Sequence, residues 1–405
     1  MVYVYDLPAL WYYSVPLEDF HNARADAVFG PRCKGSMDDY GTVQHNTALI
    51  ILWRVLRDTR CVTRTRNPEA ADLFLAPTFP ARKGVGSWKA DVTGKHGECG
   101  GVVGDLDRHL PFLNNRTAHR HVFILNKGHP ADACRWWVQH HGRAGGVDLL
   151  TRAIHFAYSP AYRGSAHGPS PFDDDALADR LAVDPAAPWD ATVGYPHLVS
   201  MPYTAGIHAR RGNRPWAAFP KRAGLAVYLG RSHAWKWDDA NVAKQTRDRV
   251  FAECSNADDA TCAVHDPSGG EMHHACGYAA VYRSATFCFQ PPGDSPYRKG
   301  FYDAMLAGCI PVIFGVHNER VAPWFVPKGV AVRLSESKYL NGTFRALDVL
   351  RAMAPADVAR RQALLHAHGH RLQYAVDDTA RGDAVETLFV GALGLAHDLE
   401  VLYAS

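Results

Sequence analysis

Long hydrophobic runs are missing from this 405-residue chain. No stretch reaches the roughly 18 consecutive apolar residues that a membrane-spanning helix needs. Met1 leads straight into the strand-like run Val2-Tyr3-Val4-Tyr5, so no secretory leader is read at the start. An excess of either charge is also missing. Forty-four Lys and Arg stand against 41 Asp and Glu, a formal net charge of +3. That near-balance gives no reason to expect nucleic acid or an anionic membrane surface as a partner. Strong metal motifs are absent too: the 22 His form no HExxH, and the Cys residues form no paired CxxC. His265, His273, His274 and Cys276 fit no tetrahedral ligand template, and no metal is expected. Finally, no G-x-G-x-x-G follows a strand, since Gly100 to Gly104 has none before it, which disfavours a nicotinamide-dependent oxidoreductase.

What is present is a globular composition, 47% hydrophobic and 21% charged, with length for two large α/β domains. The chain is organised around Ser284 to Phe314. Ser284 to Gln290 is a short apolar run bounded by a Pro pair, which reads as a buried strand. Pro291 to Asp294 is a loop. Ser295 has the character of a helix N-cap and Pro296 of a first helical residue. Tyr297 to Ala307 is predicted helical, Gly308 suits its C-terminal cap, and Ile310 to Phe314 is a second apolar strand. Strand, loop, helix and strand in this order make a βαβ unit of a parallel sheet. Its polar chemistry lies at the front of the helix, where free N–H groups and the helix dipole favour an anion. Arg298 and Lys299 add two cations there, which suits phosphate. Ser295, Lys299 and Asp303 are four apart and share a helix face. An acidic side chain behind a phosphate site is well placed for ribose hydroxyls. An ordinary βαβ unit with a solvated charged helix has the same periodicity.

The run FCFQPPGDSPYRKGFYDAMLAGCIPVIF resembles the signature of the exostosin-type glycosyltransferases, closest to the plant and algal xyloglucan galactosyltransferase-like subgroup. Gln290, Gly293, Asp294, Ser295, Arg298, Asp303, Met305 to Cys309 and Pro311 match that pattern, and Lys299 keeps the charge of an Arg. The resemblance implies a GT-B fold, two Rossmann-like domains facing a central cleft, and metal-independent inverting transfer from a UDP-linked sugar donor. It implies no cofactor beyond that donor substrate, with a glycan or polysaccharide as acceptor. Gly293, Asp294 and Ser295 would cradle the diphosphate, Arg298 and Lys299 would neutralise it, and Asp303 would hold the ribose. Arg231, after the strand Leu225 to Gly230, takes the place where relatives set a cation against the pyrophosphate. Arg247 fits the family's R-x-x-I-x-x-x-C element, as a phosphate contact or as a surface helix cation. Galactose is the sugar that the nearest subgroup implies. The family is normally anchored in the Golgi membrane, so the sequence is expected to be a lumenal catalytic region or an incomplete reading of its gene, with the anchor missing. The alternative function is a donor-binding pseudoenzyme serving as partner subunit in a glycan-synthesising complex with other glycosyltransferases.

The remaining chain divides into 1–215, an acceptor-side domain, 216–375, the nucleotide-sugar domain, and 376–405, helices expected to return to the first domain. Gln44 to Arg57 and Leu106 to Asn114 read as helices, Asp72 to Ala76 and His121 to Leu125 as strands. An inverting transfer needs a general base on the acceptor hydroxyl. Asp6, His129 and Asp132 are the candidates because each follows a strand whose end faces the cleft. Asp6 also reads as a capping residue before a Pro turn, and His129 as a turn residue before Pro130. Trp324 and Phe325 are aromatic candidates for acceptor stacking, and Val349 to Tyr374 reads as one helical stretch. Of nine Cys, Cys288 and Cys309 are expected as buried thiols, whereas a disulfide among Cys254, Cys262 and Cys276 would suit an oxidising compartment. Asn115-Arg116-Thr117 and Asn341-Gly342-Thr343 are glycosylation sequons that agree with a lumenal address.

Overall fold

The computed structural model describes residues 1–6, 20–34, 40, 47–57, 59, 61–76, 110–125, 149, 152–157, 198–208, 214–217, 222–230, 242–258, 260–266, 275–292, 298–314, 324–376 and 381–404. Among the described residues the strands form two parallel sheets. The first holds β1 (Val2–Val4), β2 (Arg64–Thr65), β3 (Leu73–Ala76), β4 (His121–Leu125), β5 (Ile154–Ala157) and β6 (Leu198–Ser200), in the order β2-β1-β3-β4-β5-β6. Tyr3 pairs with Phe74 and Phe74 with His121, so aromatic rings lie in a row across neighbouring strands. The Phe74 and His121 rings stack 4.8 Å apart, and Phe123 stacks on His155 at 5.5 Å. Helix α1 (Ala25–Phe29) precedes α2 (Thr47–Leu56). All ten residues of α2 are buried, Thr47 and Arg54 included, so the helix lies inside the core. The described residues of Leu106 to Asn114, from 110 onward, form turns rather than a helix. There the Asn114 and Thr117 side chains bond to nearby backbone groups, offering an alternative to helical hydrogen bonds.

The second sheet holds β7 (Gly224–Leu229), β8 (Cys262–His265), β9 (Ala285–Gln290), β10 (Ile310–Phe314) and β11 (Val332–Leu334), in the order β11-β10-β9-β7-β8. Helices α3 (Val242–Ser255), α4 (Ala275–Arg283) and α5 (Lys299–Leu306) connect its first four strands. Helix α5 is shorter than the Tyr297 to Ala307 expected: Arg298 is its N-cap residue, in extended conformation and with no capping side-chain bond. Its other end follows the glycine signal. Gly308 has φ +73°, its N–H reaches the Met305 carbonyl at 2.9 Å, and the Cys309 N–H reaches Ala304 at 2.9 Å. That pair of bonds is a Schellman motif, which turns the chain directly into β10. Arg222 staples the layer from beneath, donating to the carbonyls of Tyr282, Ala285 and Ala307 at 2.8–2.9 Å.

After β11 come α6 (Glu336–Leu340), α7 (Ala346–Arg351), α8 (Pro355–His368) and α9 (Ala384–Ala404). The stretch Val349 to Tyr374 is therefore not continuous helix. It breaks at 352–354, where Pro355, which cannot donate to a preceding turn, begins a new one. Three disulfides among the described residues brace the chain. Cys254–Cys262 ties the end of α3 to β8, and Cys33–Cys276 joins the segment after α1 to α4. Cys288 and Cys309, expected as thiols, are bonded to each other. Parallel pairing sets Cys288 opposite Pro311, two residues past Cys309, which brings the two sulfurs together in the core.

Residues 201–208 pass between the two halves. The Gly206 carbonyl accepts the Tyr40 N–H at 2.7 Å, while its own N–H approaches Asp303 of α5 at 3.4 Å. His208 donates through Nδ1 to the Tyr374 carbonyl at 2.8 Å, and the Tyr374 hydroxyl donates to the Pro202 carbonyl at 2.7 Å. Helix α9 meets the first sheet's layer: Phe389 packs edge-on to Phe156, and Asp383 faces the buried Arg54 of α2 at 3.6 Å.

Candidate functional site

In a parallel α/β sheet, ligands collect outside the carboxyl ends of the strands where the strand order reverses. The second sheet reverses between β7 and β9. The residues leaving those strands are Gly230 and Pro291, and the chain from Pro291 leads to the first turn of α5. Arg298, at the head of α5, donates to the Pro291 carbonyl at 3.0 Å and so ties the start of the helix to the residue that follows β9. Lys299 places Nζ 2.8 Å from both carboxylate oxygens of Asp303, one helical turn on. The pair is largely buried, and Asp303 is only 5% exposed. Arg298, Lys299 and Asp303 thus share one end of one helix with one net positive charge. That charge and the N-terminal dipole of α5 favour a polyanion, and the carboxylate behind them is an acceptor for hydroxyl groups. Arg247 on α3 brings Nε to 3.5 Å from the Tyr228 hydroxyl of β7, beneath the same reversal point. Gly293, Asp294, Ser295 and Arg231 lie outside the described residues.

Two residues beneath this crevice carry no spacing signal of their own. Tyr282 of α4 is wholly buried, and its hydroxyl receives a hydrogen bond from Nε2 of Gln290, the last residue of β9, at 3.3 Å. Burial, then the Asp303 charge, push the Tyr282 phenol well above its usual range, so it stays protonated. Gln290 belongs to the signature motif, but nothing in that pattern singles it out as a contact of Tyr282. Gly206, which meets Asp303 from the other half, lies in a segment that reads only as strand and linker.

In the first sheet the order reverses between β1 and β3, and Asp6 stands just beyond the carboxyl end of β1, exposed. Its neighbour Tyr5 is buried and hydrogen-bonds His121 Nε2 at 2.7 Å. His121 Nδ1 lies 2.8 Å from the Thr117 carbonyl, which can only accept, so the proton is on Nδ1 and Nε2 accepts from Tyr5. Burial lowers the His121 pKa to about 3. This imidazole is therefore a neutral packing and orienting group, not a base. His129 and Asp132 lie outside the described residues. Of the aromatic pair, Phe325 is buried and so presents no ring for stacking, while the half-buried Trp324 ring rests against Gly391 of α9, where a Cβ would come within 2.4 Å of it.

The model of the exostosin GT47 domain matches residues 1–340, most of the chain and all of both sheets. This chain belongs to the exostosin GT47 family. Its two parallel, helix-flanked sheets are the architecture of a GT-B glycosyltransferase. Among relatives, the xyloglucan galactosyltransferase XLT2 of Arabidopsis thaliana is 26% identical over 89% of this chain and 67% of its own length. The probable xyloglucan galactosyltransferase GT17 of the same plant is 28% identical over 37% of this chain and 33% of its own. The Arabidopsis xyloglucan-specific galacturonosyltransferase 1 is 45% identical, over 12% of this chain and 7% of its own. The chain spans about a third of the length of GT17 and about half that of the probable xyloglucan galactosyltransferase GT19 of the same plant. Among solved structures, the glycosyltransferase SnogD from Streptomyces nogalater matches at 13% identity over 68% of this chain and 69% of that one, with a TM-score of 0.28. So distant a match adds nothing to the site.

Proposed function

We propose that this exostosin-family chain is an inverting glycosyltransferase that moves a sugar from a UDP-sugar to a xyloglucan-type wall polysaccharide. The observation that carries the reading is the Arg298, Lys299 and Asp303 arrangement on the first turns of α5, at the strand-order reversal of the second sheet. In this reading the diphosphate lies across the N-terminal turn of α5, with Gly293, Asp294 and Ser295 around it and Arg231 and Arg247 as further cations. Asp303 accepts from a ribose hydroxyl. In the transfer, the acceptor hydroxyl attacks the anomeric carbon opposite the UDP, a base takes its proton, and the bond to the diphosphate breaks. The charge left on UDP is met by Arg298, Lys299 and the helix dipole, a role that a divalent ion fills in other transferases. Asp6 is the base candidate whose position is described, exposed at the carboxyl end of β1; His129 and Asp132 are its rivals. The relatives named above share xyloglucan as acceptor and differ in sugar, so acceptor class is the firmer half of the reading and galactose the first donor to try.

A Golgi-lumen address is proposed with it. Three disulfides among the described residues suit an oxidising compartment. Both sequon asparagines, Asn115 and Asn341, are exposed, and no described helix is long and apolar enough to cross a membrane. The test is incubation of the purified chain with a panel of UDP-sugars and xyloglucan oligosaccharides, with and without EDTA. Transfer from one donor, undiminished by EDTA and giving inverted anomeric configuration, supports the reading. UDP binding without transfer to any acceptor favours the partner-subunit role. No UDP binding sinks the donor site.

A further inference from the structure

The first turn of α5 carries a notch at Gly300 that two buried polar side chains fill. Gly300 is its second residue, and a Cβ there would fall 2.6 Å from Oε1 of Gln290 and 2.7 Å from the Tyr282 hydroxyl. Both lie well inside the 3.4 Å at which ordinary contact begins. Neither side chain has room to retreat. Gln290 is 3% exposed and Tyr282 1%, and the two are hydrogen-bonded to each other. The Tyr282 backbone is held in turn by Arg222, which donates to its carbonyl at 2.8 Å. Gly300 has no positive φ, so its backbone is ordinary helix and does not need glycine. On propensity alone, alanine would be the better residue here by about 1 kcal/mol. The glycine is explained by the closeness of Tyr282 and Gln290.

We propose that Tyr282 and Gln290 are positioning residues: their buried polar ends, fitted into the notch at Gly300, set where the first turn of α5 lies and therefore where Arg298 and Lys299 meet a bound diphosphate. The inference rests on the donor-site reading given above. Tyr282 touches no substrate, being wholly buried. It acts through α5, whose residues Arg298 and Asp303 are near enough to bear on its phenol electrostatically.

The experiment reads hydrogen exchange over Lys299–Leu306 in the ligand-free chain and the Kd for UDP, in Gly300→Ala, Tyr282→Phe and the double variant. Removing the hydroxyl in Tyr282→Phe relieves one of the two contacts and takes away the hydrogen-bond partner of the Gln290 amide, which is then free to turn away from the new methyl. Gly300→Ala should speed exchange in α5 by about tenfold, against the slowing that helix propensity alone gives, and raise the UDP Kd by about tenfold, because small misplacements of charged contacts are costly. The double variant should recover most of both. Exchange that slows or stays unchanged in Gly300→Ala overturns the proposal, as does a double variant no better than the single one. A role confined to stability would lower the Tm of Gly300→Ala and leave the UDP Kd of the folded molecules unchanged. Should Gly300→Ala not fold, Tyr282→Phe alone decides: faster exchange confined to α5 supports the proposal, and unchanged exchange overturns it. Failure of wild-type UDP binding would remove the donor-site reading, while exchange in the free chain still decides on the notch.

Discussion

Replacing Asp303 by Asn separates two roles that one carboxylate holds at once. The side chain keeps its shape, so Gly206 retains an acceptor and the helix its packing. What changes is charge. Lys299, now 2.8 Å from both carboxylate oxygens, loses its partner, and the donor site gains a unit of positive charge. At an effective dielectric near 20, one unit charge about 8 Å from a phosphate is worth about 2 kcal/mol, which tightens UDP. Against this, a hydroxyl bonded to a carboxylate gains about 1–1.5 kcal/mol over one bonded to a neutral amide. The two effects oppose each other, so the UDP Kd by itself decides little. The ratio of UDP to pyrophosphate affinity does decide, because the charge effect acts on both ligands and the ribose contact on one. Isothermal titration of both ligands should show Asp303→Asn binding pyrophosphate as well as or better than wild type, with the UDP-to-pyrophosphate preference falling roughly 5- to 10-fold. An unchanged ratio refutes the ribose contact and leaves Asp303 as an anchor for Lys299 and Gly206 alone.

Other consequences follow from buried groups. Arg54→Met strands the fully buried Asp383 and should cost about 3–5 kcal/mol in urea unfolding. Burial already raises the Asp383 pKa in spite of Arg54, so the loss should shrink as pH falls toward the carboxylate range and Asp383 goes neutral; a pH-independent loss would contradict this. His121 has its folded pKa depressed from 6.5 to about 3 by burial, so its contribution to stability is complete above pH 6.5 and lost as pH falls toward 3. In His121→Gln the urea midpoint should vary less over that interval. Removing the core disulfide with Cys288→Ala and Cys309→Ala should cost about 3 kcal/mol by chemical denaturation, as expected for a loop of this length. In a secretory host, endoglycosidase treatment should lower the mass of the chain, and Asn341→Gln should remove one of the steps; an unglycosylated product would count against the lumenal address.

The βαβ unit at 285–314 was readable because local signals agree there: apolar strands too short to be helices, a Pro-bounded loop, and a glycine where the helix had to turn back. The start of α5 was misread because Ser295 and Pro296 have capping chemistry, yet the helix begins only after Arg298, an extended residue that caps with no side chain. Strand β8 carries no strong local signal of its own, since its pairing with β7 is a long-range event. The Cys288–Cys309 bond depends on the register between two strands, which no local pattern carries. The packing of Trp324 on Gly391 could not be read locally, because Gly391 lies far along the chain on α9. At the site, cations and a carboxylate four apart could be placed on one helix face from sequence. That Asp303 also meets Gly206 of the crossing segment, and that Tyr282 and Gln290 lie against Gly300, are facts of tertiary packing.

The account turns on α5 as the seat of the donor diphosphate. The most direct test is the Kd for UDP in wild type and in Arg298→Ala, with Arg249→Ala, whose cation lies over the Tyr339 ring, as a control outside the site. The account predicts that wild type binds UDP, that Arg298→Ala weakens it at least about tenfold through a lost charge-assisted contact, and that Arg249→Ala leaves it unchanged. Wild type that fails to bind UDP, or an Arg298→Ala variant that binds it as tightly as wild type, would contradict it.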